Sequence, residues 1–265
     1  ENQQKFISFF DSVNSKGEKT IIFNNNFDCE DEEEILFFNN SIIKWKDNNI
    51  SFLDLKGNNI WNKEFDFSQP DILVFEKYIY VVDKESGDIY VLDNKGNTVY
   101  RLELNTHIFN MSESEDNILV HIKTDDIEEI RILDKEGKEL VKKEQEYILT
   151  YSSDNKKSKF ILSSLNLEKG LKSYANVYSY TNDSLGSFKF DDEIILFTQF
   201  INNKILIATD KSLYLVEDND TIWSHEYPLI KDILINKDKI YLLYGDNLEI
   251  INLNGETEKK ITFGI

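Results

Sequence analysis

The chain has 265 residues, 40% hydrophobic and 13% aromatic, which is enough apolar material for a sizeable core. No apolar run approaches the roughly 20 residues a membrane-spanning helix needs, and the formal net charge of −19, from 49 acidic and 30 basic residues, repels phosphate backbones and argues against a nucleic-acid partner. A single cysteine, Cys29, excludes an internal disulfide framework and a cysteine metal cluster, and with Arg101 and Arg131 as the only arginines a bidentate anion site is not expected.

The sequence opens at Glu1 rather than Met, which leads to the expectation of an upstream signal peptide or anchor that was removed. Phe6 to Phe10 and Lys19 to Phe23 read as two strands of an N-terminal hairpin within residues 1–28. The acidic run Asp28, Glu30, Asp31, Glu32, Glu33, Glu34 lacks the loop glycine of a calcium site and reads as a solvated charged linker.

From there the chain repeats. Phe52-Leu53-Asp54-Leu55-Lys56-Gly57, Val91-Leu92-Asp93-Asn94-Lys95-Gly96 and Ile132-Leu133-Asp134-Lys135-Glu136-Gly137 share one phrase, apolar-Leu-Asp-x-x-Gly, with an apolar residue four positions on. The aspartates are 39 and 41 residues apart. A fourth copy ends at Gly255 with Asn252 in place of Asp, decayed copies run from Tyr178 to Phe188 and Tyr214 to Trp223, and an early variant runs from Phe10 to Gly17. The phrase describes a hairpin: the Asp or Asn side chain caps the turn, and Gly supplies the positive φ that closes it.

Residues 71–104 show the unit most clearly. Asp71 to Glu76, Tyr78 to Asp83, Asp88 to Asp93 and Thr98 to Leu104 read as four strands. The third is apolar on both faces. The fourth alternates, with Tyr100, Leu102 and Leu104 on one side and Val99, Arg101 and Glu103 on the other, as a half-exposed outer strand should. Units of this kind span about 32–67, 71–104, 108–146, 147–192, 194–228 and 230–265. Pro70 and Pro228 fall just after outer strands, where no ladder donor is needed. The unit at 147–192 carries an extra stretch, Leu165 to Ser173, read as a lengthened hairpin between its second and third strands. No segment has a helical period.

Repeated four-stranded antiparallel units of about forty residues predict one all-β domain, a β-propeller, over residues 1–265. The strands number 26, which favours six blades plus the N-terminal hairpin and leaves a seventh, partial blade open.

The phrase Asp54-x-x-Gly57-x-x-x-Trp61 resembles the blade motif of PQQ-like (quinoprotein-type) propellers. That resemblance implies that Trp61 docks one blade against the next, with Tyr100, Val141 and Trp223 in the matching places. If Trp61 is buried, Trp61→Ala is expected to cost about 3–5 kcal/mol. The repeat order, with its long hairpin between Lys156 and Tyr180, is similar to an uncharacterised family of bacterial membrane-anchored propellers. It implies an extracytoplasmic domain tethered to the cell membrane through a segment upstream of Glu1, and it implies no activity.

Catalytic constellations are missing. A single cysteine excludes the vicinal pair common in quinoprotein dehydrogenases, and no cofactor is expected. Two arginines cannot form a sialidase triad, and Asp218 to Trp223 only echoes the sialidase box. His107, His121 and His225 lie on different repeats without metal spacing and read as scattered surface or strand residues. Trp45, in a second strand, reads as core. The reading is a non-enzymatic binding or scaffolding propeller with a protein partner, a glycan or a divalent cation remaining open. The alternative is a carbohydrate-binding or carbohydrate-active propeller with carboxylates at its channel mouth.

Overall fold

A computed structural model describes residues 3–13, 19–29, 33–75, 77–114, 117–218 and 220–263. Among them are 26 strands, one 3-10 turn at Asn155–Lys157, and no helix long and apolar enough to cross a membrane. The chain divides into two compact units, Glu1–Ile108 and Phe109–Ile265.

β1 (Gln3–Val13) pairs with β2 (Lys19–Cys29), a longer hairpin than the sequence suggests. Six four-stranded antiparallel sheets follow, each with its strands in chain order. The first holds β3 (Glu34–Phe38), β4 (Ser41–Lys46), β5 (Asn49–Asp54) and β6 (Asn59–Glu64). The second holds β7 (Pro70–Val74), β8 (Ile79–Asp83), β9 (Asp88–Leu92) and β10 (Thr98–Glu103). The third holds β11 (Ile108–Ser114), β12 (Asn117–Lys123), β13 (Glu128–Leu133) and β14 (Glu139–Glu144). The fourth holds β15 (Ile148–Asp154), β16 (Lys159–Asn166), β17 (Lys172–Ser179) and β18 (Ser184–Asp191). The fifth holds β19 (Ile195–Ile201), β20 (Lys204–Thr209), β21 (Ser212–Glu217) and β22 (Asp220–Glu226). The sixth holds β23 (Ile230–Asn236), β24 (Lys239–Tyr244), β25 (Asn247–Asn252) and β26 (Thr257–Thr262). This is the β-propeller fold, six blades with an added N-terminal strand pair.

Burial follows strand position. β8 is buried throughout, β12 at all but its last residue, and β20 at all but its first. The second strand is thus the most enclosed in these sheets, and the third, β9, is covered at Ile89, Val91 and Leu92. Outer strands alternate: in β10 only Tyr100 and Leu102 are partly covered. Pro70 follows the outer strand β6 and opens the inner strand β7 opposite Asp83, where a missing N–H costs no interior ladder bond.

The cores join consecutive sheets. Phe38, Ile43, Trp45, Ile50 and Phe52 of the first sheet pack with Ile72, Ile79, Val81 and Leu92 of the second. In the 109–265 unit, Val141 of the third sheet packs with Phe160 and Leu162 of the fourth, and Leu215 of the fifth with Leu242 of the sixth. Each such side chain contributes about 1.5–3 kcal/mol by leaving water.

Candidate binding site

The turn residues share one geometry. Asp54 accepts hydrogen bonds from the backbone N–H of Lys56 (2.8 Å) and Asn58 (2.9 Å), and Gly57 donates to Asp54 O at 3.0 Å with φ 87°. Asp93 accepts from Lys95 and Asn97, both at 2.8 Å, and Asp134 from Glu136 and Lys138, both at 2.9 Å. Asn252 does the same for Asn254 (2.9 Å) and Glu256 (3.0 Å). Gly96, Gly137 and Gly255 have φ of 77°, 85° and 84°. Hydrogen bonds from Asn58 hold the Asp54 carboxyl below its ordinary range.

Two of these turns receive a tryptophan from the preceding sheet. Trp61 stacks on Phe52 with centroids 5.0 Å apart, and its Nε1 donates to Asn94 O at 3.1 Å. Its ring covers Gly96 so closely that a Cβ there would stand 2.9 Å from it. Trp223 repeats the arrangement on the turn of Gly255: its Nε1 donates to Leu253 O at 3.1 Å. His225 stacks on Trp223 and donates from Nε2 to Gly255 O at 2.9 Å. Trp61 is half-buried rather than buried. Tyr100 is likewise half-buried, and Val141 is buried.

None of these positions lines a cavity found in the 109–265 unit. That cavity, about 360 Å³, is built on the inner strands β11, β15 and β19. Its wall is rich in hydroxyls and amides, including Asn110, Ser112, Thr150, Ser152, Thr198 and Gln199. Apolar surface comes from Leu149, Tyr151, Leu196, Phe197 and Phe200, and Glu113 supplies the one carboxylate in the lining.

A local irregularity shapes it. β15, β19 and β23 each slip register at the same place, between Ile148 and Thr150, Ile195 and Phe197, and Ile230 and Asp232. Bulges of this kind re-aim a side chain. Here the bulged residues Leu149 and Leu196 line the cavity, and Lys231 holds the third equivalent place. Below them, Thr150 Oγ1 lies 2.6 Å from Ser163 Oγ and 2.8 Å from Thr198 Oγ1, a chain of three hydroxyls. Burial pushes the Tyr151 hydroxyl up to about 12, with Ser112 and Asn110 beside it acting in the other direction.

His121, behind Tyr151, is a residue of strand β12 and is buried. Its Nε2 donates to Glu128 Oε1 at 3.1 Å, and burial pulls its pKa below the ordinary imidazole value against the opposing pull of Glu128. Glu128 also accepts from the backbone N–H of Tyr147 at 2.7 Å and of Ile148 at 3.2 Å. It thereby ties the β12–β13 hairpin to the linker that enters β15.

That linker is unusual. Tyr147 has φ 54° and is 60% exposed; Leu229, at the matching linker before β23, has φ 56° and is 72% exposed. Bulky residues rarely adopt this left-handed conformation. Leu165 N–H donates to Tyr147 O, and Gly245 N–H to Leu229 O, both at 3.0 Å, so each linker is pinned to the end of a second strand. Ile127 and Leu167, on second-to-third-strand hairpins, stand 43% and 62% exposed at the same end of their sheets. Leu167 belongs to the lengthened β16–β17 hairpin.

The acidic run divides: Glu30, Asp31 and Glu32 lie outside the described residues, while Glu33 pairs with Lys44 at 2.8 Å instead of standing in solvent. Gly17 and the side chains of Asp11 and Cys29 also lie outside the described part. Among the described residues no three His, Cys, Asp or Glu side chains converge as metal ligands.

Several proteins of known structure share the fold. BamB from Moraxella catarrhalis superposes with a TM-score of 0.57 at 14% identity, over 89% of this chain and 76% of that one. The Pan2 WD40 domain of Neurospora crassa gives 0.60 at 12% identity, over 89% and 79%. BBS1N, solved in complex with ARL6DN, gives 0.54 at 12% identity, over 84% and 75%. No curated protein matches the sequence. The model of one family matches residues 14–265, and the chain belongs to it: the family of unknown function DUF5711.

Proposed function

We propose that the chain is a non-enzymatic interaction propeller that meets a protein partner at the linker and hairpin end of its 109–265 unit. The observation that carries this reading is the exposure there of Ile127, Tyr147, Leu167 and Leu229. Tyr147 and Leu229 are also held in a backbone conformation that costs on the order of 1–3 kcal/mol each. A pinned backbone that presents an aromatic and an aliphatic side chain leaves less chain to immobilise on binding, which suits these residues as anchors. The net charge of −19 selects a partner with a neutral or basic face. The complex of BBS1N with ARL6DN supports the idea that this fold serves protein contacts.

The hydrolase alternative is not supported by the cavity. Glycoside hydrolysis uses two carboxyl groups roughly 5–9.5 Å apart, and the lining offers Glu113 alone. An extracytoplasmic, tethered location is part of the proposal; the repeat resemblance supports it, and protease accessibility in intact cells tests it.

The experiment compares wild type with the double variant Tyr147→Ser, Leu229→Ser as bait for partner capture, with identification by mass spectrometry. A protein retained by wild type, weakened by salt and lost with the double variant is expected. Equal retention by both baits would contradict the assignment.

A further inference from the structure

We infer that the cavity on β11, β15 and β19 binds a neutral, polyhydroxylated ligand, a sugar unit of a glycan. The inference rests on the cavity alone and shares no side chain with the protein-binding end proposed above.

Charge narrows the ligand first. No Lys, Arg or His lines the cavity, so nothing there recognises a phosphate, sulfate or carboxylate. The single carboxylate, Glu113, suits acceptance from sugar hydroxyls and falls short of a cation cage.

Hydrogen bonding narrows it further. Ser152 Oγ is buried, on a residue only 5% exposed that lines the cavity, and it has no hydrogen-bond partner in the protein. A buried hydroxyl left so costs free energy that a bound polar group recovers. The run Ser163–Thr150–Thr198 ends at the same wall. Serine and threonine hydroxyls rotate to donate or accept, and sugar hydroxyls do the same, so the two sets match without fixed charges.

Shape completes the argument. The bulges turn Leu149 and Leu196 into the cavity, and Tyr151, Phe197 and Phe200 add aromatic surface against which the C–H face of a sugar ring packs. A volume of about 360 Å³ falls at the small end of the range for ligand pockets. With one carboxylate the site binds and does not cleave.

The test is a glycan array probed with the full chain, followed by titration of the strongest hit as a soluble oligosaccharide. Neutral glycans are expected to be retained. Ser152→Ala and Thr198→Val are each expected to weaken binding at least tenfold with the thermal midpoint within a few degrees. Ser152→Ala, which removes one unpaired atom, stands if Thr198→Val fails to fold. Tyr147→Ser with Leu229→Ser is expected to leave glycan affinity unchanged, so loss of the protein partner and loss of the glycan read separately. No glycan above background, exclusive retention of charged glycans, or undiminished affinity in Ser152→Ala would overturn the inference. So would a peptide-display library whose selected sequences compete for the cavity while glycans do not.

Discussion

Trp61 and Gly96 form the clearest residue-level pair, because the indole lies on a glycine that has no room for a side chain. With Trp61 half-buried, the expected cost of Trp61→Ala drops to about 2 kcal/mol, between partial and full burial of a large side chain. Trp61→Phe keeps the stack on Phe52 but loses the bond to Asn94, and is expected to recover part of that loss. Urea unfolding of the three proteins measures both. Gly96→Ala meets two penalties at once, a left-handed φ of 77° and a ring 2.9 Å away. Gly170→Ala, at φ 95° with open space around it, meets only the first. Gly96→Ala is therefore expected to be the more damaging by at least 1 kcal/mol; equal midpoints would show that the Trp61 contact carries no stability. The turn phrase was legible because a capped hairpin needs Asp or Asn and Gly at fixed offsets. The exposure of Trp61 was not, since a residue type does not state how far the next sheet covers it.

At the scale of elements, strand order and length followed from the repeat, and the lengthened β16–β17 hairpin from its extra residues. The bulges in β15, β19 and β23 left no such mark. Ile148-Leu149, Ile195-Leu196 and Ile230-Lys231 read as ordinary strand starts, and only the pairing with the neighbouring strand shows the slip. A signal for the cavity did exist: Thr150, Ser152 and Ser153 interrupt the apolar pattern of an inner strand, and Ser163, opposite Thr150, does so with Ser164 on the second strand. The buried His121–Glu128 pair gives this region a pH response. His121 is held below its ordinary value of 6.5, so its contribution is complete above about pH 6.5 and is lost as pH falls toward its folded value. Burial raises the Glu128 carboxyl, but bonds from Tyr147 N–H, Lys123 and His121 outweigh it. Its contribution is present above 4.5 and disappears at lower pH. Unfolding free energy is therefore expected to fall between pH 7 and 5, and His121→Gln to flatten that slope. An unchanged slope in the variant, measured by urea titration at each pH, would remove His121 as its source.

For the whole molecule, the repeat period predicts the fold class, since a unit of about forty residues cannot bury its sheet faces except against a neighbouring unit. The described part holds no converging metal ligands, so a chelator is expected to leave the melting temperature unchanged; a drop of several degrees would point to an ion that organises the fold. What the chain binds was not legible, because exposed linker residues such as Tyr147 and Leu229 carry no motif and gain meaning only from their conformation and shared position. The most direct test of the interaction reading places a photocrosslinking amino acid at position 147 or 229, with control sites at exposed positions 60 and 222, and irradiates the chain among its native neighbours. A discrete protein adduct from 147 and 229 alone is the expected result. Adducts of equal yield from the control positions, or none from 147 and 229, would contradict the claim that this end of the 109–265 unit meets a protein partner.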